Sequence, residues 1–307
     1  MKKHLFLVAA LAAGMAVHAE VKLTETFDYT AGNAIGTVEG WKTSGDLTDG
    51  EGRIVSEKVL TYSNSGGEYI LSGEGKSLKH SYKSNKTGSA NGQQYMSSRA
   101  FDKVTDVVYL SYIYMPDGKQ DQSNGELLGL TSGDTNPTAR PWTGKVDDAT
   151  KATHYRFGLT MRSGTSADIV WDTKPQSIED TVLLVLKFQI TKTDTIASLF
   201  INPTIGTTEE PAADITDNKG AGRDKIDNIM FRNQGASKSN YYIGGVRVST
   251  TWAEAVAPKA SEEVEPGETT GLEEINAEMK ARKVIVDGQM LIERNGEFFD
   301  MTGAKLQ

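Results

Sequence analysis

The side chains in this 307-residue chain best suited to binding chemistry are aromatic: Trp41, Trp142, Trp171, Trp252 and the pair Tyr241-Tyr242. An aromatic face matches the C–H face of a pyranose ring, and the indole or phenol edge adds a polar handle. Most of these rings read as core. Trp142 differs, because it falls in a long polar stretch, Thr131–Lys151, which reads as a loop, close to Arg140. A Trp and an Arg on an otherwise polar loop are what a recognition surface uses. Trp142, Arg140 and Tyr241 are therefore the candidate ligand-binding residues.

A second group is Asp117, Asp121 and Glu126 in PDGKQDQSNGE, three carboxylates that together with backbone carbonyls would suit Ca²⁺. Their spacing departs from the EF-hand pattern, and a solvated turn competes with the metal reading. Covalent chemistry finds little support. The chain has no Cys, which excludes disulfides, thiolate nucleophiles and Cys-ligated metals. No Ser sits in a G-x-S-x-G elbow and there is no H-E-x-x-H. Two His, His80 and His154, lie beyond the first 19 residues, and His154 at a strand start reads as structural. Gly73–Ser77 (GEGKS) lacks the first glycine of a phosphate loop, since Ile70 stands five residues before Gly75. Paired carboxylates of a glycosidase would occupy one strand face in an E-x-D alternation, and no Glu here stands two before an Asp.

Thirty-three Lys and Arg oppose 41 Asp and Glu, a net charge of −8. Without residues 1–19 and their two lysines it is 31 against 41, or −10. An acidic chain of this kind is not expected to bind nucleic acid or an anionic membrane surface, both of which need clustered cations. With 31 Gly, 8 Pro and 37% hydrophobic residues, the composition fits many short strands joined by turns. Lys2-Lys3, the apolar run Leu5–Ala13 and Val17-His18-Ala19 form the three parts of an export signal, with cleavage expected before Glu20. The apolar run is too short to cross a bilayer, which takes about 20 residues. A secreted or outer-surface location follows, with no membrane span once the signal is removed.

From Val21 to about Ala257 the pattern is that of strands. Val182–Ile190 places Val182, Leu184, Leu186, Phe188 and Ile190 on one face, while Leu183 and Val185 share the other with Lys187 and Gln189. One end of this strand is thus expected to be buried on both sides. The segment Thr195–Ile201 completes a hairpin, closed by Pro203. Ten or so strands with no amphipathic crossover helix predict an all-β, two-sheet antiparallel sandwich over residues 20–256. An acidic Pro/Gly/Glu linker is expected at 257–272, where burial cannot offset ordering entropy. A tail at 273–307 should form two helical turns and then short strands, turning at Asp287-Gly288 and Asn295-Gly296.

Two resemblances follow. Asp180–Ile215 and Ile226–Ala255, with Glu25–Tyr29 and Gly40-Trp41, resemble the concanavalin A-like, laminin-G-like jelly rolls of secreted bacterial proteins. The resemblance implies a jelly-roll fold, one that hosts lectins, glycosidases, lyases and adhesion modules alike, so activity must come from the site. Lys283–Gln307 is similar to the carboxy-terminal sorting domains of type IX secretion cargo, with Gly288, Ile292, Gly296, Phe299, Asp300 and Gly303 in the matching places. It lacks the upstream PNP strand of many such domains. The resemblance implies the secretion machinery as a partner. The function expected first is a non-catalytic binding or adhesion module for an extracellular polysaccharide or surface glycan. A glycoside hydrolase or polysaccharide lyase, for which His80, His154, Arg156 and Arg162 are the clues, is the alternative. A structural surface or matrix protein is the third.

Overall fold

The structure is a computed structural model. It describes residues 19–44, 52–81, 94–118, 125–133, 137–146, 153–161, 168–191, 195–220, 222–234, 240–260, 282–286, 289–294 and 297–299. The chain forms two compact units, residues 1–260 and 261–307. The export signal apart from Ala19, Asp121, Arg162, the linker beyond Ala260 and the expected helical turns at 273–280 lie outside the described residues.

In chain order the first strands are β1 (Val21–Glu25), β2 (Trp41–Ser44), β3 (Arg53–Ser56), β4 (Ser63–Asn64), β5 (Gly67–Glu68) and β6 (Ser77–His80). There follow β7 (Gln94–Val104), β8 (Val107–Pro116), β9 (Gly125–Glu126), β10 (Gly129–Thr131), β11 (Pro137–Lys145) and β12 (His154–Met161). Next come β13 (Val170–Trp171), β14 (Gln176–Ser177), β15 (Val182–Gln189), β16 (Ile196–Ile201), β17 (Ile215–Asp217), β18 (Ile226–Gln234) and β19 (Tyr241–Ser249). A single helical turn, α1 (Trp252–Ala255), ends the series. The first sheet has the order β17-β16-β15-β8-β19-β6-β3, with β1 also paired to β19. The second runs β13-β12-β11-β10-β18-β7-β2, with β14 on β12 and β9 on β11. The first unit is therefore the expected all-β, two-sheet antiparallel jelly-roll sandwich.

Period-two patterning explains how the layers meet. Val182, Leu184, Leu186 and Phe188 of β15 point into the space between the sheets, with Leu110, Tyr112, Phe157, Leu159, Ile229 and Val248. Burial of each such side chain stabilises the fold by about 1.5–3 kcal/mol. Leu183 and Val185 join a second apolar cluster on the other face, with Tyr69, Phe200, Ile205 and Trp252. Lys187 is half-buried and Gln189 exposed, so the one strand is covered on both faces at one end only. Trp252 packs on Phe200 at 4.7 Å between ring centroids, and Thr251 caps α1 by accepting from the Glu254 amide.

The second unit contains a three-stranded antiparallel sheet, β20 (Arg282–Val286), β21 (Gln289–Arg294) and β22 (Glu297–Phe299). Val286 pairs with Gln289 and Arg294 with Glu297, which leaves two-residue connections at the two dipeptides expected to turn.

The stretch Thr131–Lys151, expected as a loop, instead contains strand β11. Its two prolines obscure it. Pro141 lies where the partner strand changes from β10 to β9, a register break that needs no amide donor at that point.

Candidate functional site

Strands β11 and β12 pair in register from Ala139↔Met161 to Lys145↔Tyr155. Ala139, Tyr155, Phe157, Leu159 and Met161 enter the core. Alternation then sends Arg140, Trp142, Gly144, Arg156, Gly158 and Thr160 to the outer face of the second sheet. Trp171 on β13 pairs with Gly158 and shares that face. A Cβ on Gly144 would lie 2.4 Å from Cη2 of Trp171, and one on Gly158 2.6 Å from its Cε3. The indole is thus seated on the backbone of two strands, a position open only because both residues are glycine. The Arg156 guanidinium lies 4.8 Å from the Trp171 ring centroid, and that of Arg140 lies 5.4 Å from the Trp142 ring. Two Arg-on-Trp stacks therefore stand on neighbouring strands. Such stacking fixes a planar cation at low entropic cost.

Strand β9 sets Glu126 opposite Trp142. Its carboxylate, 1% exposed, has Arg140 Nη1 at 3.8 Å and no hydrogen-bond donor on either oxygen. Burial pushes the carboxyl up to about 7, against the opposing pull of Arg140, Arg232 and Arg53. Burial also lowers Arg140, and Glu126 offsets part of that. Arg140 Nη2 is held by donation to Thr160 Oγ1 at 3.2 Å. The Trp142 indole N–H is buried without an acceptor. Arg156 and Arg232 have no hydrogen-bond or ion-pair partner among the described residues, and the Nε of each is sealed from solvent. Trp142, Arg140 and Glu126 form the buried inner end of this arrangement, while Trp171, Arg156 and Arg232 are partly exposed.

Tyr241, expected as a ligand residue, is placed elsewhere. Arg53, His80 and Tyr241 form a row across β3, β6 and β19 that faces the interior of the sandwich. Arg53 Nη1 donates to Ser97 Oγ at 3.0 Å, His80 stacks on Tyr241 at 4.6 Å, and the Tyr241 hydroxyl donates to the Glu126 carbonyl at 3.2 Å. Tyr241 is 1% exposed, so it props β9 from within rather than meeting a ligand. Burial lowers Arg53 to about 10 and, with the Arg53 charge second, holds His80 well below the usual imidazole value. His80 is therefore a neutral packing residue. His154 Nδ1 lies 2.9 Å from Thr153 Oγ1 at the start of β12.

Of the calcium candidates, Asp117 and Glu126 are among the described residues. Asp117 pairs with Lys79 at 2.8 Å, and Glu126 belongs to β9, where it is 1% exposed with Arg140 Nη1 at 3.8 Å. Asp121 lies outside the described residues, and among the described residues no three acidic or His side chains gather as metal ligands.

Arg232 and the supporting glycines were not singled out by sequence, and Trp171 was named only among the aromatic residues read mostly as core. Trp171 reads as core, and only its pairing with Gly158 shows that it lies outward. A separate open cleft of about 510 Å³, bordered by β1, β7 and β8, is lined by Lys22, Lys103, Tyr109, Thr250 and Trp252 among others. Its aromatic edges are already engaged, Tyr109 by Glu210 and Trp252 by Thr207.

No protein-family model matches the sequence, and no curated protein matches it. Among solved structures the chain is similar to an endo-1,3-beta-glucanase from Streptomyces sioyaensis: 11% identity, TM-score 0.39, covering 75% of this chain and 96% of that one. It is also similar to lectin II from Ulex europaeus, at 9% identity and TM-score 0.35, covering 75% and 99%. The carbohydrate-binding module CBM66 from Bacillus subtilis matches at 12% identity and TM-score 0.32, covering 68% and 95%. At such values the fold assignment rests on the strand order and register of this chain, not on these likenesses.

Proposed function

We propose that the chain is an exported carbohydrate-binding protein, secreted or held at the cell surface, that takes glycan on the outer face of its second sheet. The observation that carries this reading is the Trp171 ring laid across Gly144 and Gly158, in one cross-strand row with Trp142. A rigid aromatic platform flanked by a few fixed polar groups is the usual composition of a sugar site. Lys2-Lys3 and the following apolar run support export. The pattern from Gly288 to Gly303 supports routing by type IX secretion machinery as part of the same proposal.

A hydrolase or lyase on this face is the second reading, favoured by Glu126, whose carboxyl near 7 suits a general acid. Among the described residues no other carboxylate contributes to its electrostatic environment, whereas glycoside hydrolysis generally uses two. A glycan array and a reducing-end assay on the purified full chain separate the readings. Binding without release of reducing ends is the expected result. Sustained release would replace the binding reading by the enzymatic one, and silence across the array would remove both.

A further inference from the structure

From the same face we infer the ligand class: a polysaccharide bearing carboxylate groups, that is, a uronate-containing chain, read by planar guanidinium groups. This rests on the glycan-binding reading above and goes beyond it in naming the charge and the recognising chemistry. Three arginines, Arg140, Arg156 and Arg232, stand on one face around Glu126, the one carboxylate near them among the described residues, in a chain whose net charge is −8. Local charge thus opposes the charge of the whole molecule, which calls for a local reason.

Arg140 is engaged by Thr160, Met161 and Glu126, but the other two arginines are not spent on the fold. Arg156 and Arg232 lack hydrogen-bond and ion-pair partners among the described residues while their Nε atoms are shut from solvent. In each of the two only Nε is sealed, so the outer guanidinium nitrogens stand open to an anionic ligand. Arg156 is also held over Trp171, so its donor fork is fixed before any ligand arrives. A planar fork matches a planar carboxylate with two parallel hydrogen bonds, a fit that a lysine cannot reproduce. Glu126 does not cancel the field, because burial keeps its carboxyl largely protonated up to about 7. From β12 to β18 the positions span three strand spacings, about 14 Å, which suits an extended chain and not a single small anion.

Polygalacturonate and its fully methyl-esterified form test the inference directly, because esterification removes the charge and leaves the sugar rings. The full chain should bind the free acid at least about tenfold more tightly than the ester, and salt should weaken that binding. Arg156→Ala should weaken it by about tenfold or more, and Arg156→Lys should restore only a minor part, since charge returns without the fork. Equal affinity for acid and ester, or binding confined to neutral glucans, overturns the uronate assignment and leaves glycan binding standing. Binding of dextran sulfate alone also overturns it, in favour of sulfate esters. Full rescue by Arg156→Lys contradicts the planar-fork argument. If no polysaccharide binds, the glycan-binding reading fails as well. Near-ultraviolet circular dichroism of the variants, unchanged from the parent, assigns any loss to the site.

Discussion

Glu25→Ala lowers the free energy of unfolding by about 3–5 kcal/mol in a denaturant titration, because it takes the carboxylate from the half-buried Arg99 and the acceptor from three further donors. Glu25 ends β1 and is 3% exposed. Its carboxylate accepts from the Phe27 amide at 2.6 Å, the Tyr29 hydroxyl at 2.8 Å and Trp41 Nε1 at 3.0 Å, and it pairs with Arg99. Phe27 sits at φ 52, in the left-handed region that a bulky side chain avoids, and the carboxylate beside it holds that turn. Trp41, fixed by the other carboxylate oxygen, packs between Phe27 and Phe231 at 6.1 and 5.8 Å. One side chain therefore ties β1, β2 and β7 together. Glu25→Gln keeps the acceptor oxygen and loses the charge, so its loss should be smaller than that of alanine. A drop below about 1 kcal/mol for alanine would mean that the pairs are individually weak, as at an exposed surface.

The second large effect is a pH dependence. The folded carboxyl of Glu126 is raised from 4.5 to about 7, so between those values the folded state holds a proton that the unfolded state has lost. Stability linked to this group is therefore present at low pH and declines as pH rises toward about 7. At about 1.4 kcal/mol per unit the decline is on the order of 3 kcal/mol, seen in melts run from about pH 4.5 to about pH 8. Glu126→Gln fixes the neutral state and should flatten that part of the profile, becoming more stable than the parent at the upper end. Below the folded value the Gln variant and the parent should agree, since Arg140 already faces an uncharged neighbour there. A parent profile that rises over this interval, unaltered by Glu126→Gln, would show that Arg140 and Arg232 hold the carboxyl ionised.

Regular alternation made much of the fold legible in the sequence. Strand β15 shows this most clearly, including the change from two buried faces at Leu183 and Val185 to one at Lys187 and Gln189. The signal fails where inward positions are polar because another strand supplies partners. In β7, Ser97 receives Arg53 and Arg99 meets Glu25, so QYMSSRAFDKV shows no apolar period. It fails again in β11, where Pro137 and Pro141 suggest a loop although the proline amides fall at a break in pairing. At the site, Trp142 and Arg140 were legible as residue types, and Arg156 only as a clue to the enzymatic alternative. Their common face was not legible, since it depends on the register that brings Gly144 opposite Arg156 and Gly158 opposite Trp142. Tyr241 was misplaced for a related reason: an aromatic at a strand end gives no indication of its sheet face until the row Arg53–His80–Tyr241 is known.

Trp171→Ala tests most directly whether the outer face of the second sheet is where glycan binds. The ring is partly exposed and rests on glycine backbone, so its removal takes away the platform with little demand on the core. Calorimetric titration of the full chain with a bound polysaccharide should show affinity reduced by at least about tenfold, equivalent to about 1.4 kcal/mol, with the fold intact by circular dichroism. Affinity unchanged from the parent would place the binding surface elsewhere on the molecule.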